Sequence, residues 1–272
     1  MLRVLFALAV VLAGAAPPEP NERLPVTPAA IATSLEQTDA GLHAALADWQ
    51  RSDPALVAPA APRPVQLWAL RQQRLLMALR DSPATSRAVL ARLHGRLLRA
   101  TRETLAAMVD LRRLSPPHPP RRRWKVGPAL PAGRLLAVYR AAERRFGVAW
   151  NVLAAVNLVE SDFNKLRNDS IAGAEGPMQF IPATWRAYGL GGDIHQPEDA
   201  ILGAANYLHA SGAAASYRTA LYHYNPSPLY VDAVIRYAHR IASSTGAFLS
   251  YYARQVFVRE PSGRVHRLTG PR

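Results

Sequence analysis

Apolar residues recur along most of this chain at the spacing of a helix. From Ala29 to Trp49 the positions Ile31, Leu35, Leu42, Leu46 and Trp49 fall on one face, which predicts an amphipathic helix. Pro54, Pro59, Pro62 and Pro64 break the pattern between Ser52 and Pro64, because a proline ring removes an amide donor and clashes with the preceding turn. Helical spacing resumes from Val65 to Leu79 and again from Pro83 to Leu114, the latter opened by Ser82 ahead of Pro83. Farther on, Leu153, Val156 and Val159 form an apolar stripe over Ala149 to Glu160, with Glu160 on or beside it. The pattern lapses at Ser161-Asp162-Phe163-Asn164, so that helix is expected to end at Glu160. No alternating run is long enough for a central sheet. Only the tail alternates: Gln255 to Arg259 and Arg264 to Leu268 flank Pro261-Ser262-Gly263 and predict a short C-terminal β-hairpin. The fold class is therefore mainly α. The stretch before Pro28 reads as a flexible lead.

Composition adds a location to this picture. The chain has 272 residues, 49% apolar and 19% charged, which suits a globular protein with a sizeable core. Its net charge of +14 is nearly all arginine and favours polyanionic partners. Arg3, the apolar run Val4 to Leu12 and the small residues Ala13 to Ala16 together describe a secretory signal peptide over 1–16. The run is shorter than the roughly 20 apolar residues of a membrane span, so no stable transmembrane segment is expected after processing, although retention as an anchor stays open. Cysteine is absent, which excludes a lipid anchor at that position, disulfides and thiol catalysis. A secreted, extracytoplasmic protein of the cell envelope follows. Nucleic acid is then an unsuitable partner, and anionic cell-wall polymers are a suitable one.

Residues 17–114 form a helical N-terminal region. Arg87, Arg92, Arg96, Arg99, Arg102, Arg112 and Arg113 recur through its last predicted helix, either to lie on an anionic surface or as an ordinary solvated face. Ser115-Pro116-Pro117-His118-Pro119-Pro120 and the arginines after it give a stiff Pro/Arg-rich linker over 115–126. A second helical domain over 127–245 and an extension over 246–272 complete the division.

The chemistry centres on Glu160. Partial burial and the negative end of its helix would both disfavour the carboxylate. A rise of about two units from the free value near ~4.3 costs roughly 2.7 kcal/mol and leaves a proton available near neutral pH, as a general acid requires. Pairing with one of the many arginines would do the opposite, and spacing alone favours that pairing. Downstream, Gly173 and Gly176 permit a tight turn, Gln179 offers both a donor and an acceptor for sugar groups, and Pro182 opens the next helix. There is no H-E-x-x-H, and His195, His209, His223 and His239 are too scattered for a metal site. No cofactor motif appears.

Glu160-Ser161, then Ser170 with Gly173-Ala174-x-Gly176-Pro177-Met178-Gln179-Phe180, resembles the signature of the lytic transglycosylases. The order continues with Pro197-Glu198-Asp199-Ala200, Ala204-Ala205-Asn206-Tyr207-Leu208, Leu221-Tyr222-His223-Tyr224-Asn225 and Tyr230-Val231, so the resemblance runs from about Leu135 to Ala242. Many members carry Leu where Pro177 stands, and Ala-Gly where Pro226-Ser227 follows Asn225. The resemblance implies a lysozyme-like helical catalytic domain acting on peptidoglycan glycan strands, without a cofactor. It implies that Glu160 protonates the β-1,4 oxygen between N-acetylmuramic acid and N-acetylglucosamine, then accepts the proton of the muramoyl 6-hydroxyl as that oxygen closes a 1,6-anhydro ring. Ser161, Ser170, Met178, Gln179, Tyr224 and Asn225 match positions that bind substrate or orient the acid, although Tyr224 also follows Tyr217 and Leu221 at core-packing spacing. Ordinary glycosidases need two flanking carboxylates. The sequence offers no convincing second one, since Asp162 would point off the Glu160 face. A muramidase that uses water, and a non-catalytic peptidoglycan-binding scaffold, remain the alternatives.

Overall fold

The computed structural model describes residues 16–115 and 123–271. The signal segment up to residue 15 and the linker residues 116–122 lie outside the described residues. Among the described residues the chain forms eleven helices and one antiparallel pair of strands. The helices are α1 (Pro28–Ser52), α2 (Arg63–Arg80), α3 (Pro83–Leu90), α4 (Gly95–Leu114), α5 (Ala132–Phe146) and α6 (Trp150–Ser161). They continue as α7 (Pro182–Tyr188), α8 (Pro197–Ala210), α9 (Tyr217–Tyr224), α10 (Pro228–Ala242) and α11 (Thr245–Tyr252), with β1 (Phe257–Arg259) and β2 (Val265–Arg267) at the end. The protein is mainly α, as its periodicity predicts. No helix among the described residues is long and apolar enough to cross a membrane.

Local signals set many of the helix ends. Proline begins α1, α3, α7, α8 and α10, where its missing amide donor costs nothing. The hydroxyls of Thr27, Ser216 and Ser244 cap α1, α9 and α11 by accepting from the amides of Ala30, Thr219 and Ala247. Gly147, at φ 69°, closes α5 in the left-handed conformation.

The structure revises three expectations. The helix expected over Pro83 to Leu114 is two helices, because Gly95 adopts φ +55° and His94 is extended, breaking the path between Leu90 and Gly95. The lead before Pro28 is tied down rather than free: the Pro20 carbonyl accepts from Arg74 and Arg267, and Glu22 pairs with Arg71. The hairpin is present but shorter, with Phe257 paired to Arg267 and Arg259 to Val265. Its ladder gives way where the Gln255 amide donates to the Gln73 side chain and the Val256 amide to the Thr269 hydroxyl.

Two helices position the candidate site. α6 is apolar on every side: each residue from Val152 to Leu158 is buried, so the stripe read from the sequence understates a helix that runs through the core. α10 packs against α6 on one side and α4 on the other, burying Tyr230, Val234, Tyr237 and Ile241 among others. One hydrophobic cluster accordingly joins Leu46, Trp49, Val65 and Ala107 of the N-terminal helices to Leu153, Leu221, Val234 and Phe248. A smaller cluster of Ile31, Leu35, Leu75, Leu79, Val89 and Leu105 belongs to the N-terminal helices alone.

Candidate active site

Glu160 is the penultimate residue of α6, and the backbone turns sharply behind it. Asp162, Phe163 and Asn164 take φ values of 53°, 60° and 65°, the left-handed region that non-glycine residues rarely occupy in succession. Packing holds them there. The Phe163 ring is fully buried against Phe248 at 5.7 Å, and the Asn164 amide donates to the Ser161 hydroxyl at 2.9 Å. The helix therefore ends at Ser161, and Glu160 sits half-buried at its margin.

The glycine-rich turn is pinned against this end. Glu175 and Phe180 exchange backbone hydrogen bonds in both directions, closing a narrow loop over Gly176-Pro177-Met178-Gln179. Gly176 is obligatory on two counts: its φ is +73°, and a Cβ would lie 2.0 Å from the Ile194 carbonyl oxygen. Asn157 and Ser161, one turn apart on α6, both donate to the Pro177 carbonyl, at 2.9 and 2.6 Å. Tyr139 in turn donates to the Asn157 side-chain oxygen at 2.6 Å. The next carbonyl, of Met178, accepts from the Tyr224 hydroxyl at 2.7 Å. The Tyr224 ring lies parallel to that of Tyr230, 3° apart in plane with centroids 6.4 Å apart. Tyr230 then completes the circuit by donating to Glu160 Oε1 at 2.6 Å.

Electrostatics follow from this enclosure. Burial pushes the Glu160 carboxyl up to about 7, and the Tyr230 hydroxyl, which favours the carboxylate, opposes that rise. Neither influence is a neighbouring charge. Burial also raises the Tyr224 and Tyr230 phenols well above their ordinary range, with the Glu160 charge adding to it, so both stay protonated donors. Asp162 is treated differently two residues away: Lys165 Nζ stands 3.4 Å from Asp162 Oδ1 and also donates to the Tyr252 carbonyl at 2.8 Å.

The residues singled out from the sequence are placed in four different ways. Glu160, Tyr224, Ser161 and Met178 belong to one connected network, but Ser161 is a buried fastener within it and Met178 takes part through its backbone carbonyl, its side chain being buried. Gln179, at φ 49°, is half-buried and donates its amide nitrogen to the Gly176 carbonyl at 2.9 Å. Ser170 fixes the 170–174 turn through its hydroxyl and the Ala174 amide. Asn225 ends α9, half-buried, with no side-chain hydrogen bond among the described residues. The sequence motifs contain Tyr230 without giving it a role, and they do not include Asn157. Asn157 is legible in retrospect as a polar residue inside an apolar helix, whereas only the folded chain brings Tyr230 to Glu160.

Residues 137–244 match the family model of the transglycosylase SLT domain. This segment is a transglycosylase SLT domain. The SLT domain contains α6 to α10 and all the contacts of the Glu160 network, and it covers nearly the same residues that carry the resemblance in the sequence. Comparison with curated proteins and with solved structures finds no match. An SLT domain supports a peptidoglycan-acting function of the lytic transglycosylase type, and hence action outside the cytoplasm.

Proposed function

We propose that the protein cleaves the β-1,4 bond between N-acetylmuramic acid and N-acetylglucosamine with formation of a 1,6-anhydromuramoyl end, using Glu160 as both acid and base. The observation that carries this reading is a half-buried carboxyl poised at about 7 whose acidity is governed by burial and one tyrosine hydroxyl. An acid of that strength is part protonated at neutral pH and can give its proton to a departing glycosidic oxygen. The carboxylate so formed keeps the Tyr230 hydrogen bond on Oε1, which leaves Oε2 to take the proton of the muramoyl 6-hydroxyl. That oxygen then bonds to the anomeric carbon, the bond to the leaving sugar breaks, and Glu160 regains its proton. No water is consumed and no second carboxylate is needed, in keeping with a carboxyl on which no neighbouring charge acts. Gln179 and Asn225, half-buried around the network, suit contacts to the sugar hydroxyl and acetamido groups. Ser170 shapes the adjoining turn. Peptidoglycan binding is aided by the arginines of the N-terminal helices toward anionic wall polymers.

Mass spectrometry of the products of isolated peptidoglycan tests this directly. Fragments lighter by one water than hydrolytic muropeptides are expected. Fragments of full hydrolytic mass would replace the internal hydroxyl with water, and none from folded protein would leave a binding role.

A further inference from the structure

A cavity of about 410 Å³ lies where α1, α4 and the start of α11 meet. None of the candidate site residues lines it. Along α10, Arg240 at the cavity lies ten residues beyond Tyr230, about 15 Å of helix. Its lining has three distinct parts. Arg96 and Arg99 of α4 and Arg240 from the last turn of α10 supply positive charge. Ser243, Ser244, Gly246 and Ala247 bring the start of α11, where the Ser244 hydroxyl takes the Ala247 amide and the Thr245 and Gly246 amides have no acceptor among the described residues. Leu35, Leu42, Leu46 and Leu76 make an apolar floor.

We propose that this cavity binds a small organic anion through a carboxylate or phosphate group. The cations are not balanced by the protein itself. Asp39 is the one carboxylate of the lining, and Arg96 engages it at 3.1 Å. Arg240 has Glu103 only at 3.8 Å, and Arg99 makes no ion pair among the described residues. A helix start beside arginines is a favourable seat for an anion, since amide dipoles and guanidinium donors converge on it. A second observation points the same way. Thr101 lines the cavity, is only 4% exposed, and its hydroxyl has no hydrogen-bond partner among the described residues. That hydroxyl is free to bond a ligand seated in the cavity. The size and the leucine floor argue for an organic body behind the anionic group, because the volume lies within the roughly 300–1,000 Å³ of small-molecule sites.

Isothermal titration calorimetry on the full chain tests this with two probes, glycerol 3-phosphate and N-acetyl-D-alanyl-D-alanine. Saturable one-to-one binding of at least one is expected, and the probe that binds identifies a phosphate ester or a peptide carboxylate as the source. Arg99→Ala should weaken it at least tenfold, with the melting temperature unchanged because Arg99 is exposed and makes no ion pair among the described residues. Thr101→Val should weaken it several-fold. Absence of saturable binding of both probes would overturn the proposal. So would binding that persists unchanged in both variants, which would assign the anion to the basic surface at large.

Discussion

Glu160 and Asp162 are two carboxylates at one helix end, both removed from bulk water, and the protein treats them in opposite ways. Asp162 is given cations: Lys165 at 3.4 Å, with Arg254 close enough to act on its charge. Burial still raises Asp162 above the ordinary carboxylate range, while the two cations draw it back toward the charged form. Glu160 is given only a neutral hydroxyl, that of Tyr230, and burial carries it to about 7. Two positions along the chain separate a carboxyl paired with a cation from one held by a neutral hydroxyl. The lesson is that proximity in sequence says little about acidity. What decides it is which charges the fold brings to each carboxyl.

The largest effect is expected from Glu160→Gln, which keeps the shape and removes the transferable proton. Turnover of isolated peptidoglycan should fall by roughly 10²–10⁴ in the folded variant. The same change should stabilise the protein in alkaline solution. Folding raises the Glu160 pKa from 4.5 to about 7, so the folded state holds a proton that the unfolded chain releases. That contribution is full below pH 4.5, declines through the window between the two values, and is lost above pH 7. Urea titrations should therefore find the variant and the parent alike at pH 4, and the variant more stable at pH 8 by up to about 3 kcal/mol.

Lys165→Met breaks the other half of the comparison. It strips the cation from Asp162 in a pair whose side chains are only 11% and 19% exposed, and it orphans the Tyr252 carbonyl. A loss of about 3–5 kcal/mol is expected in denaturant titrations near neutrality, shrinking as pH falls and Asp162 takes up a proton. Tyr230→Phe sharpens the contrast with a smaller effect. Removing a donor to the carboxylate should move the pH–rate profile upward by roughly one to two units, with a modest loss of rate at its new optimum.

Much of this was legible in the sequence, and the reasons differ by element. The helix that carries Glu160 and the loop over Gly176 to Gln179 are local features, written in periodicity and in glycines that only glycine can replace. The direction of the Glu160 shift was not legible, since an arginine partner would have reversed it; the fold decides it by burying the carboxyl beside the Tyr230 hydroxyl, seventy residues away, with no neighbouring charge. The pairing of Asp162 with Lys165 needs the left-handed turn, which nothing in Ser161-Asp162-Phe163-Asn164 announces. The shared core of α4 and α10 was hidden for a related reason. Small residues such as Ala107, Ala233 and Ala238 let the helices pack closely, and spacing alone does not say which partner an apolar face meets. The break at Gly95 was missed because arginines continue across it at helical intervals.

The most direct measurement is a carboxyl-carbon NMR titration of uniformly labelled protein, with Glu160 assigned by the resonance that disappears in Glu160→Gln. A midpoint near 7 is expected, moving upward in Tyr230→Phe. A midpoint in the ordinary glutamate range near ~4.3 would contradict the assignment of Glu160 as a proton donor at neutral pH.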